Sequence, residues 1–123
     1  MAYGRIGVIG AMDSELAALI AALTQPAQET VQGLVFRTGR LGAREVVLVR
    51  CGIGKVSAAR CTQVLIDRFA PGAVINTGIA GGLASGLAVG DIVVADGLVQ
   101  HDFDAAHEAD GRGIKICLLY TSP

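Results

Sequence analysis

The chain is poor in aromatic residues, in charge and in cysteine. Tryptophan is absent, and aromatic residues make up only 4% of the 123 positions, too few for the stacking platforms that hold single-stranded nucleic acids. Charged residues amount to 17% and the formal net charge is −1 at pH 7, with the ten Lys and Arg spread along the chain. The basic footprint of a nucleic-acid binder is therefore missing, and no nucleic-acid partner is expected. Three cysteines, Cys51, Cys61 and Cys117, show no metal-ligand spacing. Such a sparse, odd set reads as reduced thiols in a cytoplasmic protein. A secretory leader is not expected either, because a strand-like run starts at Ile6 and Asp13 interrupts it early.

What is abundant is apolar sequence. Hydrophobic residues make up 52%, which argues against disorder and suffices for the core of one small domain. The stretch from Phe69 to Gly90 carries no charge and is long enough to span a bilayer. It also contains Pro71, Asn76, Thr77, Ser85 and six glycines, and its "VIN" reads as the end of a strand. No membrane association is expected.

The hydrophobic pattern alternates between strand and helix. "RIGVIGA", Arg5 to Ala11, reads as a strand buried on both faces. "DSELAALIAAL" places Leu16, Leu19, Ile20 and Leu23 at helical spacing, with Asp13 or Ser14 as its cap and Pro26 marking its end. "GLVFRTGRLGAREVVLVRC" reads as an antiparallel hairpin turning at Gly42-Ala43. A second helix runs from Lys55 to Phe69, with Ala58, Cys61, Leu65 and Phe69 inward and Arg60, Gln63 and Asp67 outward. "GAVINTG" and "GDIVVADGLVQ" read as two further strands. The order strand, helix, hairpin, helix, strand, strand predicts an α/β fold with a mixed central sheet. Ligands in such sheets sit beyond the carboxyl ends of the strands. The loops "GAMDSE", "CGIGK" and "NTGIAGG" fall at those ends and are expected to converge.

These glycine loops fail both nucleotide fingerprints. A dinucleotide fold needs Gly-x-Gly-x-x-Gly between strand and helix, but Gly4 and Gly7 precede or lie within the first strand. A Walker loop needs a glycine where Val49 stands and a hydroxyl where Val56 stands. Any one of the loops could be a plain turn. Three at equivalent strand ends point instead to a backbone-lined pocket for a flat ligand.

"IGVIGAMDSE", "CGIGKVSAA", "NTGIAGGL", "VGDIVVAD" and "HDFDA", in that order, closely resemble the bacterial 5′-methylthioadenosine/S-adenosylhomocysteine nucleosidases. The resemblance covers about Arg5 to Ala105. It implies a three-layer α/β/α, nucleoside phosphorylase-like fold with a mixed central sheet, truncated in this chain. It also implies a homodimer and hydrolysis of an N-glycosidic bond that releases adenine without metal or cofactor. Glu15 matches the glutamate that activates the attacking water, and a carboxylate is suited to take that proton. Read without the resemblance, Glu15 is equally a solvated residue favoured by the helix dipole. Met12 and Ile53 match the lining of the alkylthio pocket, and Ile79, Ala80 and Gly81 match the loop beside ribose and purine. Ile79 stands where the family often has serine, so a hydroxyl contact is lost there.

His101, Asp102 and Asp104 are competent metal ligands, but no fourth is evident and a strand end would splay them, so no metal is expected. Related phosphorylases carry an arginine in the loop after the first strand. Here that loop ends in Asp13, Ser14 and Glu15, which would repel phosphate and favours hydrolysis.

The family's proteins are about twice as long as this chain, within the range of single domains. Their second half supplies an acidic pair for the ribose hydroxyls, an aspartate for the leaving purine and an aromatic that stacks on adenine. No residue after Asp104 matches them. Residues 1–105 are thus expected to be the N-terminal part of a nucleosidase domain, with 106–116 an ambiguous junction. "CLLYTSP", Cys117 to Pro123, resembles the translated read-through of a transposase adapter used in sequencing libraries. The chain alone is expected to be inactive and poorly soluble, because a truncated sheet exposes apolar faces. A futalosine hydrolase or a non-catalytic nucleoside-binding module are the competing readings.

Overall fold

The computed structural model describes residues 4–99, which divide at Gly78/Ile79 into two units. The first unit is a five-stranded mixed sheet with helices. Its elements in chain order are β1 (Ile6–Gly10), α1 (Asp13–Ala21), β2 (Thr24–Val31), β3 (Leu34–Leu41), β4 (Arg44–Arg50), α2 (Lys55–Phe69) and β5 (Ala73–Asn76). The strand order is β2-β3-β4-β1-β5. β1 lies parallel to both β4 and β5, whereas β2, β3 and β4 form an antiparallel meander.

The two helices cover opposite faces, because alternate residues of a strand point to opposite sides. Val8, Val46 and Leu48 meet Leu16 of α1, with Leu19, Ile20 and Leu23 packed against them. Ile9, Phe36, Val47 and Val49 meet Cys61, Val64 and Leu65 of α2. β1 and β4 therefore lie in the middle layer of an α/β/α sandwich, and β4 reads VVLV because both of its faces are buried. Gly7 lets α2 approach, since a Cβ there would lie 2.7 Å from Leu65 Cδ2. The inward and outward faces expected for α2 are observed, with Val64 added to the buried side.

Several expectations are corrected. α1 ends at Ala21 rather than running to Leu23, and Pro26 lies inside β2 instead of marking the helix end. Pro26 is accommodated because β2 is an edge strand whose register shifts between Thr24 and Ala27, where Gln25 takes a φ of 52°. The strand β2 was not expected, since "TQPAQETV" is polar and lacks alternation. It is held by its ladder to β3 across a Gln32-Gly33 turn in which both residues have positive φ. Two arginines of α2 reach this edge: Arg60 donates to the Gln32 carbonyl, and Arg68 pairs with Glu29 at 2.6 Å. The cap of α1 is also not Asp13 or Ser14, as the site description explains.

Between Ile79 and Val99 the second unit is irregular. Asp91 accepts from the Ala88 amide at 2.9 Å and its own amide donates to the Ala88 carbonyl at 3.1 Å, closing a turn. The strand expected over "GDIVVADGLVQ" does not form across residues 91–99. Apolar alternation becomes a strand only with a hydrogen-bonded neighbour, and residues 91–99 join no ladder among the described residues. Leu83, Val89, Ile92 and Val94 are left exposed. No helix among the described residues is long and apolar enough to cross a membrane.

Candidate active site

The parallel arrangement of β4, β1 and β5 brings the ends of three loops to one edge of the sheet. The Cys51 amide donates to the Gly10 carbonyl at 2.9 Å, and the Thr77 amide donates to the Ile9 carbonyl at 3.0 Å. These two bonds stitch the chain after β4 and the chain after β5 to the end of β1. Within the first unit, the predicted convergence of "GAMDSE", "CGIGK" and the start of "NTGIAGG" is therefore present.

Glu15 stands where these loops meet. Its Oε2 accepts a hydrogen bond from the Met12 amide at 3.0 Å, and its own amide donates to the Met12 carbonyl at 3.2 Å. Met12 is the N-cap residue of α1, and its side chain offers no capping bond. The glutamate three positions on satisfies the free N-terminal amide instead, half of a capping box. Asp13 points elsewhere, to Arg50 at 3.4 Å. The positive end of α1 favours both carboxylates, which occupy its first turn.

The other carboxylate oxygen of Glu15 faces Gly78. A Cβ built on Gly78 would lie 2.8 Å from Oε1 and 3.3 Å from Cδ, so glycine is what admits the carboxylate against the backbone of the third loop. Cys51 is buried nearby. Burial raises its thiol pKa and the Glu15 carboxylate adds to that rise, while the bond to its own backbone opposes it. Cys51 is thus a neutral wall of the site rather than a nucleophile.

Met12 is half-buried at the start of α1, and Ile53 is 65% exposed in the loop between Gly52 and Gly54. Both glycines take positive φ, 85° and 95°, which lets the loop turn sharply into α2. Ile79, Ala80 and Gly81 open the second unit and are exposed. His101, Asp102 and Asp104 lie outside the described residues. Among the described residues no group of three His, Cys, Asp or Glu is placed to hold a metal ion. Gly78 was read from the sequence only as part of a loop. Its role as the opening for Glu15 depends on the β1–β5 pairing, which spacing alone does not reveal.

A family model described as the Phosphorylase superfamily matches residues 5–119. A 5′-methylthioadenosine/S-adenosylhomocysteine nucleosidase of Shewanella putrefaciens is 50% identical over 100 residues, covering 81% of this chain and 43% of that protein. The crystal structure of such a nucleosidase from Colwellia psychrerythraea, in complex with adenine, superposes with a TM-score of 0.82 at 45% identity. That match covers 85% of this chain and 43% of the Colwellia chain. The S-adenosylhomocysteine nucleosidase of Streptococcus pyogenes, solved with 5-methylthiotubericidin, gives a TM-score of 0.81 at 46% identity over 86% of this chain and 45% of its own. The chain thus spans less than half the length of these relatives.

Proposed function

This chain belongs to the phosphorylase superfamily, and from that premise we propose that it carries the water-activating half of a nucleosidase site for 5′-methylthioadenosine and S-adenosylhomocysteine. The reaction is hydrolysis of the N-glycosidic bond with release of adenine. Glu15 takes a proton from the attacking water as the sugar carbon gains oxocarbenium character. The observation that carries the reading is the setting of Glu15. One oxygen is fixed by the Met12 amide at 3.0 Å, and the other is presented at the strand ends beside Gly78.

Met12 and Ile53 supply apolar surface for the alkylthio group, as a thioether requires. Ile79, Ala80 and Gly81 lie along the ribose and purine and contribute backbone. Asp13 and Glu15 in the first turn of α1 disfavour a phosphate nucleophile and favour water. The proposal needs no metal or cofactor. It includes a cytoplasmic homodimer, and it assigns the binding of ribose and protonation of the purine to residues beyond those matched here. The names and bound ligands of the relatives support the substrate class.

The test is a chimera in which residues 5–99 replace the matched part of the Colwellia enzyme. The folded chimera should release adenine from methylthioadenosine, and Glu15→Gln should slow it by about 10²- to 10⁴-fold, the usual contribution of a general base. A folded chimera without adenine release, or Glu15→Gln at an unchanged rate, overturns the proposal.

A further inference from the structure

The lysines and arginines are scattered in sequence, but the fold gathers two of them next to the proposed alkylthio pocket. In the β3–β4 ladder Arg37 pairs with Leu48 and Phe36 pairs with Val49, so Arg37 and Arg50 lie on the same face of the sheet, close to each other. They border a cleft of about 340 Å³ together with Asp13, Gly33, Cys51 and Gly52. Asp13 follows Met12 and Gly52 precedes Ile53, so the cleft begins one residue beyond each proposed alkylthio contact.

The charges of this cleft are of both signs. Arg50 Nε lies 3.4 Å from Asp13 Oδ1, and both side chains are more than half exposed. Arg37 is half-buried, and no acidic side chain pairs with it among the described residues. A cation with no acidic partner among the described residues, next to a second cation that shares one carboxylate, suits a ligand carrying an anion and a cation on adjacent atoms. An α-amino acid is such a group. Its carboxylate can bridge the guanidinium forks, which match carboxylate geometry, and its ammonium can face Asp13.

We propose that Arg37, Arg50 and Asp13 form a subsite for the amino-acid end of an adenosyl thioether, so that S-adenosylhomocysteine is held at both ends and methylthioadenosine at one. This rests on the nucleosidase reading, which places the sulfur at Met12 and Ile53. The homocysteine chain then leads from sulfur into the cleft. The subsite selects between two substrates without touching the bond that breaks.

The test is equilibrium binding to the folded chimera that carries residues 5–99 in place of the matched part of the Colwellia enzyme, with Glu15→Gln to slow turnover. Three ligands are compared: S-adenosylhomocysteine, methylthioadenosine, and 5′-(3-aminopropylthio)adenosine, which lacks only the carboxylate. Partly exposed charge-assisted contacts predict that S-adenosylhomocysteine binds roughly three- to tenfold more tightly than the decarboxylated analogue, with the advantage shrinking as salt is added. Arg37→Gln should abolish that advantage and leave methylthioadenosine binding unchanged. Because the ligand comparison needs no variant, it decides even if Arg37→Gln fails to fold. Equal affinity for S-adenosylhomocysteine and the decarboxylated analogue overturns the subsite while leaving the nucleoside pocket intact. A salt-sensitive advantage that survives Arg37→Gln overturns the assignment of Arg37. Absence of binding by all three overturns the reading on which the subsite rests.

Discussion

Substituting Gly78 by alanine separates the stability of this fold from its chemistry. The new methyl would lie 2.8 Å from Glu15 Oε1 and 3.3 Å from Cδ, whereas comfortable carbon contacts begin at about 3.5 Å. What must yield is the far end of a flexible side chain rather than backbone. The carboxylate therefore swings away by roughly half an ångström or more, and the bond from the Met12 amide is strained or lost. That bond contributes on the order of 0.5–1.5 kcal/mol net, which bounds the loss of stability. The catalytic loss is larger, because misplacing a reacting group by about 1 Å costs about 10²-fold in rate. In the Colwellia chimera, Gly78→Ala should lower kcat for adenine release by roughly 10- to 100-fold while KM for methylthioadenosine moves little. The urea midpoint of the same protein should fall by no more than the hydrogen bond accounts for. An unchanged kcat, or destabilisation of several kcal/mol, would refute the view that this glycine exists to admit the Glu15 carboxylate.

Other positions give different outcomes. Gly7→Ala drives a methyl to 2.7 Å from Leu65 Cδ2 inside the α2-facing core. It should destabilise by about 1–3 kcal/mol in urea unfolding of the chimera, the usual cost of overpacking, without changing KM. Cys61 is fully buried, and burial, followed by the charge of Cys51 and against that of Arg60, pushes its pKa from 9.0 up to about 11. The neutral thiol is thus the folded form. Its stabilisation is complete below pH 9 and disappears as pH rises through 11, a loss of about 2–3 kcal/mol at 1.36 kcal/mol per pKa unit. Cys61→Ala should remove that alkaline dependence, as read from thermal midpoints between pH 8 and 11. The 123-residue chain alone should release adenine from methylthioadenosine no faster than the uncatalysed background, measured by chromatography. In the proposed reaction Glu15 activates water, while protonation of the purine is assigned to residues beyond those matched here.

The sequence revealed most where periodicity was strong. Helix α2 shows its apolar face at Ala58, Cys61, Leu65 and Phe69, and the β3–β4 hairpin is marked by two strand-like runs that meet at Gly42-Ala43. Where non-local pairing decides, the sequence was silent. β2 is polar and contains Pro26, and only its ladder to β3 and a shifted register make it a strand. "GDIVVADGLVQ" shows the reverse case, a good strand pattern that finds no partner across residues 91–99. The cap of α1 was misassigned because Asp13 and Ser14 are the usual cap residues. Met12, one position earlier, cannot cap with its side chain, so Glu15 supplies the acceptor. The place of Glu15 in the loop after the first strand was legible in the sequence, and the structure puts it where the three loops meet. The Gly78 opening and the Arg37–Arg50 pair were not legible, since each depends on strands that meet only in the fold.

The position of β1 between two parallel partners, β4 and β5, also bears on how the chain assembles. The β2-β3-β4 meander closes through two tight turns and needs only sequence neighbours. β1, by contrast, pairs Ile6 with Val46 on one side and with Ala73 on the other. During synthesis this apolar strand is made before both of its partners and waits for each of them. Its first ladder needs all of β4, and its second needs α2 and β5 as well. Distant pairing of this kind slows folding, because the entropy of loop closure is spent before the contacts that offset it are made. Until β5 emerges from the ribosome, "IGVIG" is an apolar edge without a second neighbour, the form in which strands recruit other chains. Among these strands β1 is therefore the one whose pairing waits on the most distant segments of the chain.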